Sequence, residues 1–202
     1  LMDKKIWEYN PLNPQQLKDY DVSSYCYRHS RRDWKVSAYD KGYGINYDGD
    51  SRKPEYLIDG EKKTNWSSGK INDKPLELPY YIIFDLNKVS DIDGVYLANG
   101  YSNQCLADVH VEYIGSEVAD PYDINAPWET LLQVTDPNVV RANLKNERFF
   151  DCPRTQARYL RLKISNPNTI VFKSDSDLTE EEKANQKKYH SFAEFGTYYK
   201  KP

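Results

Sequence analysis

The stretch Tyr56-Leu57-Ile58-Asp59-Gly60-Glu61-Lys62-Lys63-Thr64-Asn65-Trp66 is chemically the most informative in the sequence. An apolar run enters an oxygen-rich turn with a glycine at its sharpest point, and a tryptophan closes it. A hard cation such as Ca²⁺ takes about 6–8 oxygen ligands. Asp59, Thr64 and the intervening carbonyls supply several of these from one loop. The same residues fit an Asx turn, in which the Asp59 carboxylate only caps a backbone N–H two residues on. Two other loops suggest a different chemistry. Residues 39–50 carry Tyr39, Tyr43, Asn46 and Tyr47 among glycines and acids, with Arg52 just beyond, and residues 99–104 carry Asn99, Tyr101 and Asn103. A sugar ring needs an aromatic face for its apolar side and planar polar groups for its hydroxyls. The structural alternative is that these tyrosines pack back onto the protein.

Catalytic chemistry is not apparent. His29, His110 and His190 are scattered, and no G-x-S-x-G or cysteine-nucleophile motif accompanies them. Cys26, Cys105 and Cys152 are an odd set with no C-x-x-C pair, so they read as half-buried thiols, not zinc ligands or a disulfide framework. Asp48-Gly49-Asp50 lacks the later acidic ligands of an EF-hand. Lys+Arg 28 against Asp+Glu 31 gives a net charge of −3, without the basic excess a nucleic-acid binder uses on phosphates. The 18 tyrosines and 4 tryptophans in 202 residues exclude a solvated, disordered chain.

The elements that must position these loops read as strands. Residues 1–33 are polar and proline-containing, which predicts a lead-in or linker, and residues 34–202 form the domain. Short alternating or apolar runs at 34–39, 80–86, 94–98, 108–114, 128–134, 158–165 and 192–199 predict an all-β domain. The run 80–86 is nearly continuous and apolar, as in a strand buried on both faces. Thr179-Glu180-Glu181-Glu182 is a capping box that opens one short inserted helix near 179–189. Many strands and no βαβ alternation indicate a β-sandwich or jelly roll, with function on the loops at one end.

An ordered series of matches extends this. Val36-Ser37-Ala38, Ile58-Asp59-Gly60 through Thr64-Asn65-Trp66, Leu78-Pro79 with Ile82-Ile83-Phe84-Asp85-Leu86, Val95-Tyr96-Leu97, Val111-Glu112-Tyr113-Ile114-Gly115-Ser116, Trp128, Ala157-Arg158-Tyr159-Leu160-Arg161 and Ala193-Glu194-Phe195-Gly196 together resemble the coagulation factor five/eight type C, or discoidin, domain. The closest flavour is the bacterial family 32 carbohydrate-binding modules and related galactose-binding-like domains.

The resemblance implies a jelly-roll sandwich of about eight antiparallel strands with one structural Ca²⁺. Asp59 would give a side-chain oxygen, Glu61 a carbonyl, Thr64 its hydroxyl and carbonyl, and Glu194 a carboxylate from the last strand. Trp66 would pack in the core under the loop. Galactose-type members place a His and an aromatic soon after this Trp, and an Arg after the Val-Tyr-Leu strand. Here Ser67-Ser68-Gly69-Lys70 and Ala98-Asn99-Gly100 stand in those places. Ligand contact is therefore expected from Tyr43, Tyr47, Arg52, Asn99, Tyr101 and Asn103. The implied function is non-catalytic recognition of a glycan or polysaccharide by a module of a larger secreted, periplasmic or cell-surface protein. The alternative is a protein–protein or adhesion module without a sugar pocket. Phospholipid binding would need exposed apolar spikes, and the long loops offer Tyr, Gly and acids instead.

Overall fold

The computed structural model describes residues 26–40, 43–44, 52–68, 70–71, 74–75, 77–100, 106, 108–135, 147–167, 179–181, 184 and 189–201. Its strands are β1 (Cys26–Arg28), β2 (Lys35–Asp40), β3 (Tyr43–Gly44), β4 (Trp66–Ser67), β5 (Lys70–Ile71), β6 (Lys74–Pro75), β7 (Tyr80–Asn99), β8 (Val109–Ile114), β9 (Glu129–Val134), β10 (Glu147–Ile164) and β11 (Ser191–Lys200). A 3₁₀ turn covers Pro54–Leu57. The domain is all-β, as its sequence predicts. Of the helix expected at 179–189 only part is described, and there Glu180, Glu181 and Ala184 are helical.

Nine strands hydrogen-bond into one curled sheet with the path β1-β11-β7-β10-β8-β9; β2 and β3 join beside β7, β4 joins β11, and β5 and β6 pair separately. The sheet makes both layers of a sandwich because its two longest strands bend together. β7 runs 20 residues and β10 runs 18, about twice what one layer of a small domain accommodates. β7 turns near Asn87, which has φ 68° and donates its N–H to Asp85 Oδ1 at 2.8 Å. Asn tolerates this left-handed backbone better than most residues. β10 is irregular alongside, its register against β7 shifting between Ala157 and Tyr159 opposite this turn and again between Asp151 and Thr155. The first layer then holds β2, the start of β7, the end of β10, β8 and β9. The second holds β1, β11, β4, the end of β7 and the start of β10.

The core lies between the layers, with Phe84 of the first stacked on Phe195 of the second at 4.2 Å between ring centroids. Val36, Ile82, Leu97, Phe150, Leu160, Leu162 and Phe192 fill the remainder. Cys26 and Cys152 are buried free thiols, pushed up by burial to about 11 and about 12, so both are inert. Cys105 lies outside the described residues.

Three features depart from the sequence expectation. Cys26–Arg28, within the stretch read as a lead-in, form a strand paired antiparallel with Tyr198–Lys200. The runs at 80–86 and 94–98 belong to one bent strand. The run at 158–165 is only the second half of β10.

The outer face of the second layer carries an aromatic floor. Tyr198 lies over Gly94 and Tyr96 over Gly196, the cross-strand partners in the β7–β11 register. A Cβ on Gly94 would collide with the Tyr198 ring and stand 2.6 Å from the Phe150 carbonyl, which is backbone and cannot yield. Gly94→Ala is expected to destabilise the domain by about 1–3 kcal/mol, measured by urea denaturation. A change within experimental error would contradict this packing.

Candidate functional site

The Asp59 loop leaves the 3₁₀ turn and returns through β4. Gly60 adopts φ 81°, the left-handed backbone that favours glycine. Asp59 forms the Asx turn foreseen from its sequence, with Oδ1 accepting the Glu61 N–H at 2.8 Å. The loop also gathers oxygens. The Thr64 hydroxyl lies 2.6 Å from Asp59 Oδ2 and 2.8 Å from the Glu61 carbonyl. It has one proton and can satisfy only one of those acceptors.

Glu194 reaches this loop from β11, which joins the two segments despite their separation in sequence. Its side chain is 2% exposed, and Oε1 is buried without a hydrogen-bond partner. Burial pushes the Glu194 carboxyl up to about 7; Arg31 pulls it back, and the neighbouring Asp59 carboxylate raises it further. Two facing carboxylates are acceptors only when ionised, so the buried Oε1 calls for a proton or a cation. Among the described residues no three His, Cys, Asp or Glu side chains cluster as a metal site. The donors at Asp59 are instead carboxylate, hydroxyl and carbonyl oxygens, which suit a hard cation and not zinc.

Arg31 is the residue that sequence reasoning missed. β11 pairs with β4 at Ser191 and Phe192 and with β1 from Tyr198 onward. The edge between them is spanned by the Arg31 guanidinium, whose Nη1 donates to Phe195 O at 2.8 Å, Leu57 O at 3.1 Å and Glu194 Oε2 at 2.5 Å. It comes from the charged run Arg31-Arg32-Asp33, which has no local pattern to distinguish it from a linker.

The sandwich ends in a second gathering. Asp40 and Ile164 both stand opposite Tyr80, Val134 stands opposite Val109, and Glu147 and Phe192 flank Ala98 and Asn99. Buried His190 ties the two layers together here, with Nδ1 2.5 Å from the Tyr80 hydroxyl and Nε2 3.0 Å from Asn166 O. Its N–H donates to Ser68 Oγ at 2.8 Å. Trp66 sits beneath, fully buried, with ring centroids 6.2 Å from Tyr80 and 5.3 Å from Phe192. It is a core residue, as expected.

Of the expected ligand residues, Tyr43 lies on β3 opposite Asp40 and Asn99 lies opposite Phe192, so their backbones share this end. Arg52 is exposed. Tyr47, Tyr101 and Asn103 lie outside the described residues.

Comparison with known proteins fits this geometry. Residues 35–174 match the F5/8 type C domain. No curated protein matches the chain by sequence. Among solved structures, the F5/8 type C domain of a Bacteroides fragilis protein is 16% identical with TM-score 0.61, covering 88% of this chain and 98% of its own. A family 32 module from Clostridium perfringens, in complex with GalNAc-β-1,3-galactose, is 14% identical with TM-score 0.57, covering 85% and 99%. The family 32 module of Clostridium perfringens NanJ, in complex with galactose, is 16% identical with TM-score 0.53, covering 84% and 96%. At these identities the likeness establishes the fold, and the sequence match across most of the domain establishes the kinship. The chain belongs to the F5/8 type C domain family.

Proposed function

We propose that this domain is a non-catalytic carbohydrate-binding module of a larger extracytoplasmic bacterial protein. It recognises a glycan or polysaccharide through loops at the Tyr80–Asn99 end of the sandwich. The observation that carries this reading is the gathering of strand ends there, held rigid by the His190 bridge between layers. A scaffold of that kind lets loop side chains meet a ligand without first being ordered. Two solved domains of this fold hold galactose and GalNAc-β-1,3-galactose. The replacements at 67–70 and 98–100 favour a sugar contacted differently from galactose in those modules. Tyr43, Tyr47 and Tyr101 supply aromatic faces, and Arg52, Asn99 and Asn103 supply hydrogen-bonding arms. Attached catalytic or surface domains of the parent protein would be concentrated on the glycan.

The reading includes a structural Ca²⁺. The Asp59 carboxylate, Glu61 carbonyl, Thr64 hydroxyl and carbonyl, and Glu194 Oε1 would hold it. The unpartnered Oε1 supports the fit. The ion would fasten the loop to β11 and take no part in chemistry. Asp59 and Thr64 bring the loop's oxygens together, while Glu194 presents a carboxylate that water does not reach.

A glycan array on the purified domain tests recognition. Tyr43→Ala and Tyr101→Ala are each expected to weaken binding by about tenfold, the scale of one lost aromatic contact. Parent-like binding by both variants would overturn the residue assignment, and no binding to any glycan would overturn the function.

A further inference from the structure

We infer that Arg31 is a positioning residue for the cation site, resting on the reading of Asp59 and Glu194 as metal ligands. The oxygens that Arg31 occupies and those assigned to the cation are separate sets. Arg31 takes Glu194 Oε2 with the carbonyls of Leu57 and Phe195. The other Glu194 oxygen, Oε1, is buried without a hydrogen-bond partner, and the Asp59 carboxylate neighbours the Glu194 carboxyl group. One carboxylate thus stands between a guanidinium and the place where a cation would sit.

The arrangement has a geometric cause. Glu194 shares the outer face of β11 with Gly196 and Tyr198, by strand alternation. Gly196 has no side chain to brace it, and the Tyr96 ring that covers Gly196 lies 5.6 Å from the Arg31 guanidinium. Arg31 is the hydrogen-bonding group that fixes the carboxylate's rotation. By also holding Leu57 O, it sets the start of the Asp59 loop at a fixed distance from β11. A ligating carboxylate commonly depends on such an outer partner, and its removal typically lowers metal affinity about 10–100-fold. Guanidinium and cation repel each other, so the opposing expectation, tighter binding once Arg31 is removed, is a real alternative that the experiment separates.

The test is calcium titration by calorimetry on the whole domain, with the metal-free melting temperature measured on the same samples. Arg31→Met is expected to weaken Ca²⁺ binding at least tenfold. Arg31→Lys keeps the charge without the planar fork and is expected to fall between the two. It also serves as the readout if Arg31→Met does not fold. A lower metal-free melting temperature with unchanged calcium affinity would make Arg31 a purely structural tie and overturn the inference. Tighter binding would make it a competitor and overturn it as well. Absence of calcium binding in the unmodified protein would instead remove the metal reading itself, so the two failures are distinguishable.

Discussion

Trp66→Ala is expected to remove about 3–5 kcal/mol of folding stability, the range for deleting a fully buried large aromatic. In a domain of this length that lowers Tm by roughly 10 °C. The indole is inaccessible to solvent and touches Tyr80 of the first layer and Phe192 of the second. Its loss opens a cavity where the layers, the Asp59 loop and the His190 bridge meet. Trp66→Phe is expected to cost much less than the alanine change. It keeps most of the apolar volume, and Trp66 Nε1 has no hydrogen-bond partner to forfeit. Chemical denaturation of the two variants checks both expectations. A loss below about 1 kcal/mol for alanine would mean that the indole does not pack as described.

The second large effect is that of calcium. A ligand bound only by the folded state adds about 2.7 kcal/mol when present at 100 times its Kd. Melting in millimolar calcium is therefore expected well above melting with chelator, and Glu194→Gln is expected to abolish the difference. Gln keeps the side chain's shape while removing the charge at Oε1, so the comparison isolates the carboxylate. Identical melting curves with and without calcium would contradict the metal assignment.

How much could be read in advance follows from where apolar residues sit. The run Tyr80-Tyr81-Ile82-Ile83-Phe84 announces a strand because both its faces are largely covered, and Val109 and Val111 announce β8 by alternation. The first half of β10 is not legible. Glu147, Asp151 and Arg154 look like loop residues, yet each has a partner from another strand. Arg28 clasps Glu147 through two hydrogen bonds of 2.7 and 2.6 Å, Lys200 Nζ reaches Asp151 at 2.5 Å, and Arg154 holds Asp93 at 2.7 Å. Charge that serves tertiary structure is indistinguishable locally from charge that serves solubility. β1 escapes for the same reason, since Arg28 reads as linker until its partner is known.

The site divides along the same line. The Asp59 loop has a local signature because turn chemistry is local: Asp59 forms the Asx turn its sequence indicates, with the Thr64 hydroxyl beside its carboxylate. Glu194 carries no local signal, and its place came from the family resemblance. Arg31 could be recognised only from the register that leaves an interval on the β11 edge between its pairings with β4 and β1. The residues expected to contact a ligand carry no decisive local signal, since tyrosines and asparagines in loops either contact a ligand or pack back onto the protein.

Recognition at one end of the sandwich is most directly tested by mapping amide chemical shifts while a glycan found on the array is titrated into the labelled domain. The expected shifts are confined to the Tyr80–Asn99 end, including Tyr43 and Asn99, together with Arg52, with the Asp59 loop unmoved once calcium is bound. Shifts centred on the face of the first layer, where Arg161 lies 4.2 Å from the Tyr81 ring centroid and 4.5 Å from that of Trp128, would contradict it.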